Sequence, residues 1–452
     1  MDALDRTRSS PALRYLETRT VDGVKFGLET VRALLDALGR PEAAYPVLLV
    51  AGTNGKGSVV ALVDSILRAA GRRVARYTSP HLVRLNERFA IDGAEITNAE
   101  LDAAIETVRD LAEDLVRQSV ISAHPTFFEI LTVAAFYYFR QQRAEIAVVE
   151  VGMGGRLDAT NASEPLVSAI VTVDLDHEKY LGDTLDLIAQ EKAGVLRSGR
   201  TTVVGRLGDL ALGAVQREAE KVGARLVRAL QETAVEERGA VLDVRTPRRH
   251  YRGLQPMLGA HQRDNLIVAL RLLEAAEDAG LALDREALSI GVAATRWPGR
   301  LEWLPTSPRL LLDGAHNPAA AAALANFLAT APPFVLVFGA MRDKDVASLA
   351  QSLFPRAREI VLTSSDTARA ATPDEIAARC GPLAERAHRR AASGEALALA
   401  RELVRPGETI VVTGSLYLVG EVRAAACAAG QMPTAEASRD ACRSLDSLRG
   451  RA

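Results

Sequence analysis

The sequence predicts an α/β protein with two domains, each built around a parallel sheet. Short apolar runs, typical of buried strands, alternate with amphipathic helical patterns along most of the chain. The pattern stops at Trp297-Pro298-Gly299-Arg300, where proline and glycine indicate a boundary, and then restarts. We therefore expect a larger domain over residues 1–297 and a smaller one over 298–430, followed by a flexible tail over 431–452.

Length, charge and cysteine content narrow the class of protein. A chain of 452 residues with 48% hydrophobic content is long enough for two aliphatic cores. The net charge of -2 gives no general attraction to nucleic acid or to an anionic membrane. The three cysteines lack metal-ligand spacing, and there is no signal-peptide core or membrane-length apolar run. We expect a cytoplasmic protein without nucleic-acid or membrane partners.

The stretch 47–58, VLLVAGTNGKGS, carries the strongest chemical signal. A buried strand leads into a glycine-rich loop with one lysine, Lys56, and a helical pattern follows. In this layout the loop amides and the helix N-terminus bind phosphate oxygens, and the lysine adds charge. The spacing departs from the common motif, because Gly57 separates Lys56 from Ser58. A glycine turn with an incidental lysine is the alternative, but the context favours a nucleoside triphosphate site in a P-loop-type ATPase domain.

Polar side chains follow three further predicted strands. Ser79 comes after the second strand, Glu150 ends another, and His177 follows the strand over 167–173. The carboxyl ends of parallel strands are where open α/β sheets bind ligands, and a carboxylate beside a triphosphate suits Mg²⁺. From the residues alone, a simple turn at Ser79 and a structural role for His177 stay open.

Other segments carry weaker signals. Phe127 and Phe128 begin a helix and cannot both face one core, so one of them is a candidate to line a pocket for a flat ligand. Lys192 reads by default as part of a solvated helix face. Residues 201–259 read as a strand-rich insertion, and the alternating pattern after residue 300 predicts a Rossmann-like sheet in the second domain.

Taken in order, the motifs over residues 20–425 resemble those of folylpolyglutamate synthase, a branch of the Mur ligase superfamily. Many bacterial members also act as dihydrofolate synthase. The motifs that carry the resemblance lie at 51–58, 78–82, 150–161, 176–182, 191–194, 261–265 and 313–318. The last of these, DGAHNP, favours the folate branch over the cell-wall Mur ligases.

The resemblance implies roles for individual residues. ATP would be held by Asn54, Gly55, Lys56, Gly57, Ser58, Asn265, Arg300 and Asp313. Mg²⁺ would be ligated by Ser79, Glu150 and His177. Catalysis would involve Lys56, Lys192 carried as a carbamate, and His316. The pterin site would be bordered by Thr126, Phe127, Phe128, Glu129, Leu157, Asp158 and Ala159. Asp174 departs from the family pattern, where glycine is frequent, and a second carboxylate there is expected to change the metal environment.

The implied activity is ATP-dependent ligation of L-glutamate to a reduced folate, to dihydropteroate, or to both, through an acyl phosphate. One alternative is a Mur-type ligase that adds an amino acid to a UDP-linked substrate. A non-catalytic module that closes around ATP is the other. The expected partners are small molecules, and a monomer is the expected state.

Overall fold

The computed structural model describes residues 10–19, 27–284 and 286–428, so the predicted tail over 431–452 lies outside the described residues. The described chain divides into two compact units. Unit 1 runs to Met257 and resumes over Gln262–Arg296, and unit 2 comprises Leu258–His261 and the chain from Trp297 onward. Relative to the predicted limits, both Leu258–His261 and Trp297 group with the second unit.

Unit 1 is built on an eight-stranded sheet in the order β4-β3-β2-β5-β1-β6-β7-β8. Strands β2, β5, β1, β6, β7 and β8 are parallel, and β3 and β4 add an antiparallel edge. The bounds are β1 Val47–Ala51, β2 Val74–Tyr77, β3 Phe89–Ile91, β4 Ala94–Glu95, β5 Ile146–Glu150, β6 Val167–Thr172, β7 Thr201–Arg206 and β8 Arg225–Arg228.

Helices cover both faces of this sheet. They are α1 Pro11–Thr18, α2 Glu29–Ala37, α3 Lys56–Ala69, α4 Asn98–Arg117, α5 Phe127–Gln141, α6 Glu178–Leu181, α7 Leu185–Lys192, α8 Asp209–Val222, α9 Ala260–Asp278 and α10 Ala287–Ala294. Leu49 faces one apolar cluster, whereas Leu48 and Val50 face the other. This alternation makes the unit a three-layer sandwich, with the buried strands that the apolar runs predict.

The prediction of a strand-rich insertion over 201–259 was wrong in part. Strands β7 and β8 extend the main sheet, and α8 lies between them in sequence. The buried stripe of α8 consists mostly of alanine, so its sequence pattern is weak. A separate three-stranded antiparallel sheet does follow, with β9 Ala234–Arg238, β10 Val241–Arg245 and β11 His250–Leu254.

Unit 2 holds a six-stranded sheet in the order β12-β13-β17-β14-β15-β16, parallel except for β12. The strands are β12 Glu302–Leu304, β13 Leu310–Leu312, β14 Phe334–Phe338, β15 Glu359–Ser364, β16 His388–Ala392 and β17 Thr409–Thr413. The helices are α11 Pro318–Leu328, α12 Val346–Leu353, α13 Pro373–Cys380, α14 Ser393–Leu403 and α15 Leu416–Ala428. The predicted fold class is confirmed. Among the helices described, none is both long and apolar enough to cross a bilayer.

Candidate active site

The glycine-rich loop follows the central strand β1 and leads directly into α3. Helix α3 begins at Lys56, within the loop motif itself. Gly55 has φ +84°, and a Cβ there would lie 2.4 Å from Oδ1 of Asn265, so a side chain has neither the conformation nor the space it needs. The amides of the first helical turn are thereby left pointing out of the helix end, where an anion binds.

Lys56 lies folded over the loop. Its Nζ donates to the carbonyl oxygens of Gly52 at 2.9 Å and Thr53 at 3.2 Å. The ammonium is therefore held at the loop that it would serve.

The loop is tied to the end of the neighbouring strand β6. The Asn54 amide donates to Oγ1 of Thr172 at 2.9 Å, and Asn54 Nδ2 donates to Oδ2 of Asp174 at 3.0 Å. The Asp174 amide donates to Oγ1 of Thr53 at 3.1 Å. Asp174 therefore stabilises the loop. The sequence did not predict this role, because Asp174 follows a different strand and is distant from the loop in sequence.

Helix α9 supports the same loop from the other side. Gln262 Nε2 donates to Oγ of Ser58 at 3.2 Å, and Asn265 Nδ2 donates to Oε1 of Gln262 at 2.9 Å. All three side chains are buried. Gln262 was not among the predicted site residues. Two amide side chains three residues apart on an apolar helix nevertheless indicate a buried polar contact.

The candidate metal ligands follow strands close to β1. Glu150 ends β5 and is buried, and its Oε2 accepts the amide of Ser79 at 3.1 Å. His177 lies beyond β6, exposed, with a left-handed φ of 55°. The structure thus joins Ser79 to Glu150 through this hydrogen bond. Over the described ranges, no three His, Cys, Asp or Glu side chains form a metal cluster by themselves.

Lys192, the last residue of α7, is buried rather than solvated as its charge pattern suggested. Burial, together with the positive charge of Lys56, lowers the pKa of the Lys192 amine to about 7. The carboxylates of Asp176, Asp174 and Asp158 act in the opposite direction. A buried lysine with a pKa near 7 carries a reactive free amine at neutral pH.

The loop after β5 packs against the end of α7. The Arg156 amide donates to the Glu191 carbonyl at 2.9 Å, and Asn161 Nδ2 donates to the carbonyls of Arg156 and Gly194, both at 3.0 Å. A Cβ on Gly155 would lie 2.8 Å from the Lys192 carbonyl oxygen, so only glycine allows this approach. The loop therefore fixes the position of Lys192.

Asp158 shapes that loop from within. Its Oδ2 accepts the Met153 amide at 2.9 Å, and its Oδ1 accepts the Thr160 amide at 3.0 Å. Burial raises the pKa of this carboxyl, although the hydrogen bonds to Thr160 and Met153 act against the shift. Of its predicted substrate-site neighbours, Leu157 is 38% exposed and Ala159 is buried.

The predicted pterin-site residues at the start of α5 have structural partners. Thr126 and Glu129 form a capping box, with the Glu129 amide 3.2 Å from Thr126 Oγ1 and the Thr126 amide 2.7 Å from Glu129 Oε2. The pattern T-x-x-E announces this cap in the sequence. Phe127 lies under the Arg88 guanidinium at 5.4 Å, and Phe128 lies 6.2 Å from the ring of Tyr77. Both phenylalanines are half-buried.

His81 is an acceptor in this region. Its Nδ1 accepts Nε of Arg88 at 3.1 Å. Burial and the charge of Arg88 lower the pKa of His81 to about 3, so it carries no positive charge for a phosphate at neutral pH.

Unit 2 gathers its three predicted site residues around the loop after β13. Asp313 is buried, and its two oxygens accept the amides of Leu301 at 2.9 Å and Ala315 at 3.0 Å. Burial raises the pKa of Asp313, and the charge of Arg300 opposes this shift. Nδ1 of His316 lies 2.8 Å from the carbonyl of Gly314.

Relatives and solved structures agree with this architecture. Residues 299–416 match the family described as Mur ligase, glutamate ligase domain. The chain is 36% identical over 447 residues to the probable bifunctional folylpolyglutamate synthase/dihydropteroate synthase of Haloferax volcanii. The aligned region covers 94% of this chain and 51% of that protein. The corresponding Halobacterium salinarum protein is covered to 49%, so the chain spans about half the length of these two relatives.

A second group of matches covers most of both chains. The dihydrofolate synthase/folylpolyglutamate synthase of Mycobacterium tuberculosis is 36% identical over 390 residues, covering 81% of this chain and 79% of that protein. The structure of Mycobacterium tuberculosis folylpolyglutamate synthase complexed with ADP superposes with a TM-score of 0.87 at 34% identity, covering 93% of this chain and 98% of that one. A bifunctional folylpolyglutamate synthase/dihydrofolate synthase with Mn, AMPPNP and L-glutamate bound gives 0.81 at 32% identity, covering 92% and 98%. The chain therefore belongs to the folylpolyglutamate synthase/dihydrofolate synthase family of the Mur ligases.

Proposed function

We propose that this protein is an ATP-dependent ligase that joins L-glutamate to a reduced folate, to dihydropteroate, or to both. The observation that carries the proposal is that the Lys56 loop and the buried Glu150 lie at the same edge of the sheet. The buried Lys192 lies close enough to Lys56 for its pKa to be lowered by that charge. Family membership and the ligands of the solved relatives, ADP, AMPPNP, Mn and L-glutamate, support it.

The chemistry requires activation because a carboxylate does not condense with an amine in water. An oxygen of the acceptor carboxylate attacks the γ-phosphorus of ATP, the bond to the bridging oxygen breaks, and ADP leaves. The glutamate amine then attacks the acyl carbon of the acyl phosphate, phosphate leaves, and the amine loses a proton. Negative charge accumulates on the transferred phosphoryl group, and the loop amides with Lys56 stabilise it.

The donor set at the strand ends fits Mg²⁺. Glu150 supplies a carboxylate, Ser79 a hydroxyl and His177 a ring nitrogen, and a hard cation prefers the first two. A bound Mg²⁺ would offset charge on the phosphates. The short list of protein ligands agrees with the tendency of Mg²⁺ to keep waters and substrate phosphates in its shell.

Lys192 would act as a carbamate. A free amine reacts with CO₂ to form the N–C bond and releases a proton, so a pKa near 7 favours the modification at neutral pH. The product is an anion with two oxygen donors in place of a buried cation beside Lys56. The carbamate would therefore remove a repulsion and offer oxygen ligands to a cation.

The remaining site roles belong to the same proposal. Asn54, Gly57 and Ser58 on the loop and Asn265 on α9 would bind ATP. Arg300 and Asp313 would also contact ATP, and His316 would take part in catalysis. Phe127, Phe128 and Leu157 have exposed surface that a pterin could cover. A cytoplasmic monomer with small-molecule partners remains our expectation.

One assay separates the candidate activities. The full chain is incubated with ATP, MgCl₂ and L-glutamate plus tetrahydrofolate, dihydropteroate or a UDP-linked sugar peptide, and products are identified by mass spectrometry. We expect a product heavier by one glutamate residue with at least one pterin acceptor, together with ADP and phosphate. Product with the UDP-linked acceptor alone would establish the Mur-type alternative, and ATP binding without any product would establish the non-catalytic one.

A further inference from the structure

A second cleft lies in unit 1, away from the nucleotide loop. It has a volume of about 670 Å³, within the range of small-molecule sites. Its walls are the start of β8, the turn between β10 and β11, and the last two turns of α9. We call it the distal cleft and define it by Arg225, Val227, Arg248, Arg271, Ala275 and Asp278.

Sheet topology separates the distal cleft from the proposed active site. Strands β1, β6, β7 and β8 are parallel, and the nucleotide loop follows the carboxyl end of β1. Arg225 pairs with Thr201 at the amino ends of β8 and β7. The two sites therefore lie at opposite ends of the parallel strands. The length of one strand, about 20 Å, sets the approximate distance between them. Helix α9 spans the same separation, because its first turns contact Ser58 and its last turns line the cleft.

The charges in the distal cleft are unevenly matched. Arg248 bonds to Asp278 and to the Glu274 carbonyl, and Arg271 Nη1 donates to Glu274 Oε2 at 2.7 Å. Arg225 is exposed and has no hydrogen bond or ion pair from its side chain within the described part of the chain. Three arginines thus face two carboxylates, and one positive charge is left over.

The carboxylate of Glu274 is not available to neutralise the remaining positive charge, because both of its oxygens already accept hydrogen bonds. Its Oε1 already accepts the hydroxyls of Thr246 at 2.6 Å and Tyr251 at 2.8 Å, and its Oε2 accepts Arg271. Nε of Arg271 is buried and finds no acceptor among the described residues. The cleft therefore presents one exposed guanidinium, on Arg225, and the described residues offer it no acceptor.

Apart from Thr201, the rest of the lining is apolar. Val227, Pro247 and Ala275 contribute to the walls, and Val227 shares its strand face with Arg225 because side chains alternate along β8. A ligand that fits must combine an oxyanion with an apolar body.

We propose that the distal cleft is a second ligand site, which binds a small organic oxyanion, a carboxylate or a phosphate ester with an apolar body, through the guanidinium of Arg225. This site is independent of the proposed ligase activity. Guanidinium groups bind both kinds of oxyanion through paired N–H donors.

The test measures binding by calorimetry on the full chain saturated with AMPPNP and Mg²⁺, so that the nucleotide loop is filled. The probes are 1-naphthyl phosphate and 1-naphthoate, which distinguish the two anion sources, and neutral 1-naphthol. We expect one anion to bind saturably and Arg225→Gln to weaken it about tenfold, the loss of one charge-assisted contact.

Two variants complete the design. Arg228→Gln removes an exposed arginine from the other face of β8 and should leave the affinity within about twofold. Asp278→Asn frees Arg248 and should tighten binding severalfold. The proposal is overturned if Arg225→Gln and Arg228→Gln bind alike, if 1-naphthol binds as well as the anions, or if no probe saturates.

Discussion

The two units use the carboxyl edge of a parallel sheet in opposite ways. In unit 1 the loop after β1 leads straight into α3, and Lys56 is folded over the loop that precedes the helix amides. In unit 2 the loop after β13 contains its own anion, because Asp313 accepts the amides of Leu301 and Ala315. An internal carboxylate does in unit 2 what a bound phosphate would do in unit 1.

This difference indicates which residues should affect ligand binding and which should affect stability. An edge whose amides are satisfied by an internal carboxylate holds its own loop in place, whereas an edge that combines a helix N-terminus with a lysine is suited to bind an anion. Loss of Lys56 in unit 1 should therefore affect turnover and not stability, whereas loss of Asp313 in unit 2 should also lower stability. Five variants test that contrast.

Lys56→Ala should have the largest effect. Removing the ammonium from the phosphate loop should lower kcat by at least about 100-fold, the usual cost of losing one charge that stabilises a transition state. The thermal midpoint should stay near that of the parent. Lys221→Ala, which removes a lysine that is 75% exposed on α8, is the matched control. Activity within tenfold of the parent would refute the phosphate role of Lys56.

Lys192→Ala should be nearly as severe, with partial rescue by added acetate or propionate, because a small carboxylate can replace the carbamate. In the parent protein, ¹³CO₂ should label Lys192, and at fixed dissolved CO₂ the labelling should rise as the pH increases through about 7, since only the free amine reacts. Equal activity with and without dissolved CO₂ would argue against a carbamate.

Gly55→Ala should weaken AMPPNP binding at least tenfold by calorimetry, because the new Cβ collides with Asn265 at a positive φ. Gly71→Ala is a close control: its φ is +76° and nothing lies within 4 Å of the added Cβ. It should lower stability by about 1 kcal/mol and leave nucleotide affinity unchanged. Similar affinities in the two variants would mean that the loop does not bind the nucleotide.

Asp313→Ala should lower the stability of unit 2. It leaves two amides without their acceptor, at a cost of about 2 kcal/mol in the free energy of unfolding, measured by denaturant titration. A variant as stable as the parent would show that relief of the buried charge offsets the lost hydrogen bonds, and the contrast between the units would fail.

Asp174→Asn should have the smallest effect. Losing the carboxylate partner of Asn54 should raise the dissociation constant for AMPPNP about fivefold. It should also move the pH dependence of Lys192 labelling to lower pH, because Asp174 raises that pKa. Asp110→Asn, on the exposed face of α4, is the control for charge. A shift in the other direction would place Asp174 away from Lys192.

Much of the fold was predictable because its signals are local. Apolar runs predicted the buried strands, and the glycine loop with its lysine predicted the phosphate site. Helix α8 was missed because its buried side is mostly alanine, and the joining of β7 and β8 to the main sheet depends on distant pairing.

The candidate site was less predictable because its key contacts join distant segments. Nothing near Asn54 reveals that Asp174 holds it, and the burial of Lys192 depends on a loop thirty-odd residues earlier in sequence. The cap formed by Thr126 and Glu129 was predictable, because the T-x-x-E spacing is local in sequence.

The most direct test is a crystal structure of the full chain with AMPPNP and Mn²⁺, with the metal located by its anomalous scattering. The account predicts the phosphates on the amides of residues 52–58 and a Mn²⁺ peak beside Glu150 and Ser79. Nucleotide bound elsewhere, or a metal peak away from Glu150, would contradict it.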